Sequence, residues 1–276
     1  MIHHKVLRRS ALGFAMAATV ALIVGPAAAQ AVGPQAAAAV RPATCAIPDD
    51  EARFELPLAR TARQIAGGLP VTIVAIGSSS TFGAGASSTR ASYPSQLAAN
   101  LSDEFPDQQF VVHNRGVNGD TASGMLGRFG RDIMAVKPDL VLWQVGTNSL
   151  LRDFPLAPHF SMLEAGIAQF KRAGIDVVLI DPQYAPRVIA KPLAKEMIAL
   201  MAKAATASAV NVFHRFAVMR HWREVLGIPF ETFLSPDELH MNDWSYACVA
   251  RGLSGAIAEA ATRPVTTAGA TAKPRR

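Results

Sequence analysis

The hydrophobic positions in the middle of the chain fall into short runs that are rich in β-branched residues. Five of these runs predict strands, at 71–76, 109–114, 139–145, 175–181 and 210–215. In most of them the apolar residues follow one another without regular alternation. This pattern is typical of strands that are buried on both faces of a sheet.

Between and after these runs, the spacing of apolar and polar positions changes to a helical period. Such segments lie at 92–105, 121–136, 160–174, 192–208 and 243–261, and glycines weaken the second of them. Strands that alternate with helices form a parallel sheet covered by helices on both faces, with right-handed crossovers. The sequence therefore predicts an α/β domain built on about five parallel strands.

Four loops of this predicted domain carry residues with useful chemistry. They read Gly-Ser-Ser-Ser-Thr-Phe-Gly (77–83), Asn-Arg-Gly-Val-Asn-Gly-Asp-Thr (114–121), Gly-Thr-Asn-Ser (146–149) and Ser-Pro-Asp-Glu-Leu-His-Met-Asn-Asp (235–243). The first three follow predicted strands, and the fourth precedes the last predicted helix. Because functional sites of parallel sheets lie at the carboxyl ends of the strands, we expect the four loops to converge there.

Together the loops contain the groups that acyl transfer needs. A serine is a weak nucleophile until a base removes its proton, and His240 can be that base. Asp237 is close enough in sequence to orient the imidazole. The oxyanion of a tetrahedral intermediate needs preorganised donors. The backbone N–H groups of Ser79 and Gly119 and the side-chain amide of Asn148 can supply three.

In these four blocks the chain resembles the SGNH (GDSL-type) hydrolases, over roughly residues 70–262. The resemblance implies a three-layer α/β/α, flavodoxin-like fold. By position in the first block it makes Ser79 the nucleophile, rather than its neighbours Ser78 and Ser80. The other blocks match the family's oxyanion-hole and triad positions at Gly119, Asn148, Asp237 and His240.

Two positions depart from the family pattern. Ser78 stands where the family has an aspartate before its serine, and Ser149 stands where an aspartate often follows the third-block asparagine. The aspartate replaced by Ser78 is not the triad acid, so its loss need not abolish the chemistry. Both replacements remove negative charge from the mouth of the site. Tyr184 and Arg187, after the fourth strand, are candidate substrate contacts.

The resemblance implies an exported serine esterase that forms an acyl-enzyme on Ser79 and needs no metal or organic cofactor. The expected substrate is a small ester or an acylated glycan, with acetyl favoured because the sequence shows no clear hydrophobic lid segment. Two alternatives remain open. One is an O-acyltransferase acting on a glycan, and the other is a catalytically weak glycan-binding protein.

The two ends of the chain differ in composition from its middle. Residues 1–29 combine a basic start, an apolar run and small residues suited to cleavage, which predicts a signal peptide, with an uncleaved anchor helix as the alternative. The prediction continues with a flexible lead-in at 30–48, the SGNH-type hydrolase domain at 49–262 and a basic disordered tail at 263–276. We therefore expect a periplasmic or secreted protein without stable membrane insertion after cleavage.

The formal charge of +6 does not indicate a nucleic-acid partner. Seven of the 27 Lys and Arg residues lie in 1–29 and 263–276, which leaves 20 basic against 21 acidic residues between them. A chain without a basic stripe lacks the electrostatic footprint of a nucleic-acid binder. The oligomeric state is not indicated by the sequence.

The chain has two cysteines, Cys45 and Cys248. An oxidising compartment permits a disulfide between them. Two unpaired buried thiols are the alternative, and neither cysteine lies in a metal-ligand spacing.

Overall fold

The structure, a computed structural model, describes residues 45–48, 51 and 53–263. Its centre is a sheet of five parallel strands in the order β2-β1-β3-β4-β5. The strands are β1 (Val71–Gly77), β2 (Phe110–Gly116), β3 (Leu140–Gln144), β4 (Asp176–Ile180) and β5 (Asn211–Phe213). Each predicted strand is present, with ends that differ from the prediction by at most two residues.

Eleven α-helices occur in the described part of the chain. They are α1 (Ala59–Ala66), α2 (Ser79–Phe82), α3 (Tyr93–Glu104), α4 (Ala122–Phe129), α5 (Thr147–Leu151), α6 (Leu156–Arg172), α7 (Pro186–Ile189), α8 (Ala194–Ser208), α9 (Arg215–Arg220), α10 (Phe230–Phe233) and α11 (Asp243–Thr262). The segment predicted as one helix over 121–136 is instead α4 followed by a π-helical turn, Gly130–Met134. The glycine-rich sequence explains the early end of α4, because glycine weakens a helix interior.

The helices form two layers around the sheet. On one side α1 and α3 pack against α11, and on the other α4 and α8 pack against α6. The predicted three-layer α/β/α fold is confirmed. Trp143 of β3 illustrates the packing: it is fully buried, and its ring meets Phe129 and Phe170 edge-on at centroid distances of 5.2 and 6.0 Å.

The strand order creates a crevice at one edge of the sheet. After β1 the chain crosses to β2 on one side, and later returns to β3 on the other side of β1. The loops that follow β1 and β3 therefore lead away in opposite directions. In open parallel sheets such a switch point is where ligands bind.

The first described residues are attached to the domain. Cys45 and Cys248 form a disulfide with a Cα–Cα distance of 5.6 Å, and the Trp222 indole donates a hydrogen bond to the Ala46 carbonyl at 2.7 Å. The predicted signal peptide, most of the lead-in and the tail beyond residue 263 lie outside the described residues. Within the described ranges, no helix has the length and apolarity required to cross a membrane.

We predict that the disulfide stabilises the fold. It closes a loop spanning 203 positions, for which the chain-entropy model gives about 5 kcal/mol before native strain is subtracted. Reductant should therefore lower the Tm of the wild-type protein. The double variant Cys45→Ala, Cys248→Ala should melt where the reduced wild type melts, with no response to reductant. A wild-type Tm that reductant leaves unchanged would contradict this prediction.

Candidate active site

The serine loop begins where β1 ends. Ser79 is the first residue of α2, and its Oγ lies 2.8 Å from Nε2 of His240. The neighbouring serines point elsewhere: Ser78 Oγ donates to the Gln144 side-chain oxygen at 3.0 Å, and Ser80 is 1% exposed. Of the three hydroxyls, the one on Ser79 therefore faces the imidazole.

The loop before α11 holds the histidine and its carboxylate together. His240 Nδ1 is hydrogen-bonded to one Asp237 oxygen, and the other oxygen accepts the backbone N–H groups of Leu239 (3.1 Å) and His240 (2.9 Å). Burial opposes ionisation of Asp237. The bonds from the imidazole and the two N–H groups outweigh it, so the pKa of Asp237 lies below its ordinary value. An ionised carboxylate thus orients the ring.

Three possible oxyanion donors lie in the loops that follow β1, β2 and β3. Ser79 offers its backbone N–H at the start of α2, and Gly119 offers one from a turn with φ of +74°, which favours glycine. Among the described residues, neither N–H donates to a protein acceptor. The Asn148 amide donates one hydrogen to the Asp120 carbonyl at 2.9 Å and has a second hydrogen to give.

Gln144, at the end of β3, holds the serine turn in place. Its side-chain oxygen accepts hydrogen bonds from the Ser78 backbone N–H, the Ser78 hydroxyl and the Thr81 hydroxyl, at 2.9, 3.0 and 3.2 Å. A Cβ on Gly77 would lie 2.1 Å from Thr81 Oγ1, so only glycine allows this close approach. The sequence did not suggest Gln144, because a buried glutamine on a strand has no motif of its own.

Arg128 of α4 ties two site loops to the sheet, and the sequence did not suggest it either. Its guanidinium forms an ion pair with Asp120 at 2.8 Å, beside Gly119. It also donates to the carbonyls of Gly77 (3.0 Å) and Arg115 (2.9 Å). The side chain is 9% exposed. One cation therefore fixes the ends of β1 and β2 and the loop that carries the Gly119 donor.

Gln183, in the loop after β4, connects two further site loops. Its Oε1 accepts hydrogen bonds from Thr147 Oγ1 (2.9 Å) and from Nη2 of the fully buried Arg215 (3.0 Å). Its Nε2 donates to the Leu239 carbonyl at 3.2 Å. The two donors determine which end of the amide is the oxygen. Gln183 thus bridges Thr147 and Leu239, the residues immediately before the site asparagine and the site histidine.

Tyr184 and Arg187 follow β4, and their hydrogen bonds go to residues other than those of the triad. The Tyr184 hydroxyl donates to Glu224 at 2.6 Å, and its ring stacks on Phe230 at a centroid distance of 6.0 Å. The Arg187 backbone N–H donates to the Glu238 carbonyl at 3.3 Å. Neither residue is hydrogen-bonded to a triad side chain within the described structure. Their role as substrate contacts stays a prediction.

The described ranges contain no group of three or more His, Cys, Asp or Glu side chains that could hold a metal ion. The side chains that converge at the crevice are hydrogen-bond donors and acceptors. Their arrangement suits activation of a hydroxyl and stabilisation of an oxyanion.

Ser149, one of the two departures, faces a buried histidine. Its Oγ lies 3.3 Å from Nδ1 of His159 on α6. His159 is 1% exposed, and burial lowers its pKa to about 4. A neutral imidazole is matched by a neutral hydroxyl, whereas a carboxylate at position 149 would favour the charged ring.

We predict that His159 makes stability depend on pH. Its pKa is about 4 in the folded protein and near 6.5 in an unfolded chain, so the unfolded state binds a proton first as pH falls. The contribution of His159 to the free energy of unfolding is therefore fully present above about pH 6.5 and is lost as the pH falls towards 4. At pH 5 the loss is roughly 2 kcal/mol.

Urea unfolding of the wild type and of His159→Gln at pH 7.5 and 5.0 measures this term. The wild type should lose about 2 kcal/mol more than the variant between the two pH values. Equal losses would show that His159 does not contribute.

Comparison with known proteins gives a relative that matches part of the chain. An arylesterase from Vibrio mimicus is 34% identical over 100 residues, which cover 35% of this chain and 49% of that protein. This match spans about half the length of the arylesterase.

Solved structures resemble the chain at lower identity. A two-domain esterase active on acetylated mannans is 19% identical, with a TM-score of 0.66 over 84% of this chain and 61% of the other. An acetyl xylan esterase from Geobacillus stearothermophilus is 21% identical, with a TM-score of 0.58 over 68% of this chain and 94% of the other. At such identities the likeness shows a shared fold.

The family comparison covers most of the chain. The model of the Non-GDSL lipase-like family matches residues 44–263, which include all four blocks. The predicted resemblance to the SGNH (GDSL-type) hydrolases is thereby confirmed. The chain belongs to the Non-GDSL lipase-like family.

Proposed function

We propose that the chain is a carboxylic ester hydrolase that removes small acyl groups, acetyl above all, from carbohydrate through an acyl-enzyme on Ser79. The observation that carries the proposal is the continuous line of hydrogen bonds from Ser79 Oγ through the His240 ring to Asp237. Such a line has the geometry of a serine nucleophile, its base and the group that orients the base.

Acylation follows from this line. His240 Nε2 takes the hydroxyl proton as Ser79 Oγ bonds to the ester carbonyl carbon, and the carbonyl electron pair moves onto oxygen. Asp237 remains ionised and stabilises the imidazolium. When the electron pair returns, the bond to the leaving alcohol breaks, and His240 gives its proton to the alcohol oxygen.

Deacylation repeats the same steps with water. His240 removes a proton from water as its oxygen attacks the acyl carbon. The bond to Ser79 Oγ then breaks, and the serine recovers its proton from the imidazolium. The products are a carboxylic acid and an alcohol, and the free enzyme is restored.

The oxyanion formed in both halves is proposed to meet the N–H groups of Ser79 and Gly119 and the second hydrogen of the Asn148 amide. Fixed donors stabilise developing charge without reorganising, and one such donor contributes about 10²–10³ in kcat in a well-studied case. The bond from Asn148 to the Asp120 carbonyl supports this role, because it keeps the amide oriented.

The similar proteins support the substrate class. The Vibrio mimicus protein is an arylesterase, and the two solved neighbours are esterases of acetylated mannans and acetyl xylan. We extend this class to the present chain as part of the proposal.

We also propose that the protein is exported. The signal-peptide pattern at 1–29 supports export. The disulfide between Cys45 and Cys248 agrees with it, since such bonds persist in oxidising compartments.

The first test of the function is Ser79→Ala. Members of a triad act as a unit, so the variant should lose several powers of ten in kcat for p-nitrophenyl acetate. Ser80→Ala is the matched control and should keep most activity. Circular dichroism should show both variants folded. Activity that survives in Ser79→Ala but disappears in Ser80→Ala would move the nucleophile by one residue.

The second test concerns Gln183 as a positioning residue. Gln183→Leu removes the link between the loops that carry the Asn148 amide and His240. Because small displacements of reacting groups cost rate, we expect kcat to fall about tenfold with little change in KM.

Asn211→Leu is the control for Gln183→Leu. Asn211 is also a buried amide, but it begins β5 at the opposite edge of the sheet, where it binds Leu56. This variant should lower Tm and leave kcat unchanged. If Gln183→Leu behaves in the same way, Gln183 has a purely structural role.

A further inference from the structure

A cleft of about 520 Å³ adjoins the loop that carries the triad acid and base. Its walls include Gly85, Pro186, Phe230, Glu231, Ser235 and Glu238. Glu238 lies between Asp237 and His240 in sequence. A Cβ on Gly85 would lie 3.1 Å from the Cβ of His240, so this glycine lets the cleft wall approach the base closely.

The chemistry of the reaction determines which part of a substrate lies near this cleft. His240 protonates the leaving oxygen, so the leaving alcohol must approach on the side of His240. The acyl group is attached to Ser79 and faces the oxyanion donors. A cleft that begins at the residues around His240 is therefore placed for the alcohol part of the ester.

The residues that line the cleft are suited to binding a molecule with many hydroxyl groups. Phe230 and Pro186 offer apolar surface, and Glu231 and Glu238 offer carboxylates. Neither carboxylate has an ion-pair partner among the described side chains. Free carboxylates accept hydrogen bonds from hydroxyl groups and repel anions. The ring of Phe230 packs against Tyr184, which stacks on it at a centroid distance of 6.0 Å, and against the Arg223 guanidinium, which lies 5.2 Å from its centroid.

The backbone of Glu238 gives an independent indication. Its φ is +58°, in the left-handed region that glycine adopts without cost and other residues rarely adopt. The loop maintains this conformation through bonds from the Glu238 N–H to the Ser235 carbonyl (3.1 Å) and from the Arg187 N–H to the Glu238 carbonyl (3.3 Å). Strained residues cluster at functional sites, and here the strain places a carboxylate at the cleft.

From these observations we propose that the cleft is the leaving-group subsite for an uncharged carbohydrate, and that the Glu238 carboxylate binds its hydroxyl groups. This inference rests on the proposed esterase function. It assigns specificity for the alcohol to Glu238, a residue that takes no part in the acyl transfer itself.

Two substrates that differ in their alcohol test the proposal. p-Nitrophenyl acetate has a small leaving group that does not need the cleft, whereas O-acetylated mannopentaose must place sugar units there. The measured quantity is kcat/KM for both substrates. The variants are Glu238→Gly, which removes the carboxylate and relieves the backbone, and Glu238→Gln, which keeps the shape and some of the hydrogen bonding.

For Glu238→Gly we expect kcat/KM to fall about tenfold for the acetylated oligosaccharide and to stay within about twofold for p-nitrophenyl acetate. Its Tm should equal or exceed that of the wild type, because glycine suits the positive φ. For the acetylated oligosaccharide, the kcat/KM of Glu238→Gln should lie between those of the wild type and Glu238→Gly. Ala209→Gly is the matched control: Ala209 has φ of +48° at the end of α8, away from the cleft. It should leave both rates unchanged.

The other outcomes separate the inference from the function. A wild type inactive on p-nitrophenyl acetate contradicts the proposed esterase function. A wild type active on that ester but inactive on the oligosaccharide overturns the carbohydrate subsite. An unchanged ratio of the two rates in Glu238→Gly overturns the role of Glu238, whether both rates fall or neither does.

Discussion

The hydrogen bond between Ser79 Oγ and His240 Nε2 joins residues that are 161 positions apart. A base activates a hydroxyl only when distance and direction are both correct, so the two loops need rigid support. β1 and α2 supply it on the serine side, where Gln144 fixes the turn. On the histidine side the support is the start of α11, where Asn242 caps the helix two residues after His240. The sheet therefore holds these two loops at a fixed separation.

Several parts of this arrangement could be predicted from the sequence, and for definite reasons. β1 and β3 are continuous apolar runs, so their burial and their position in a parallel sheet follow from composition. The choice of Ser79 over Ser78 and Ser80 came from its position in the first block. In the structure, Ser79 is the serine placed opposite His240.

The supporting residues could not be predicted. Gln144, Arg128 and Gln183 act through contacts with residues 66, 51 and 56 positions away, and no local pattern encodes those distances. For example, Arg128 reaches the Gly77 carbonyl across 51 positions. The end of α4 was also misplaced, because the apolar spacing continues through the π-helical turn at Gly130–Met134.

The two serines that replace the family's aspartates each have a neutral partner. Ser149 faces the uncharged His159, and Ser78 faces the oxygen of Gln144. The amide nitrogen of Gln144 is buried and has no hydrogen-bond partner among the described residues. A carboxylate at position 78 would require that amide to rotate and present its nitrogen. The orientation of Gln144 is therefore the adjustment that accompanies a hydroxyl at this position.

The separation of Ser79 from His240 also has a consequence during protein synthesis. Chains grow at about 5–20 residues per second, so the 161 positions between them correspond to about 8–32 s in which the nucleophile exists without its base. His240 lies just before α11, which packs against α3 in the completed fold. A nascent chain that still lacks His240 has no base to activate Ser79. Its reactivity towards esters therefore appears together with the completed fold.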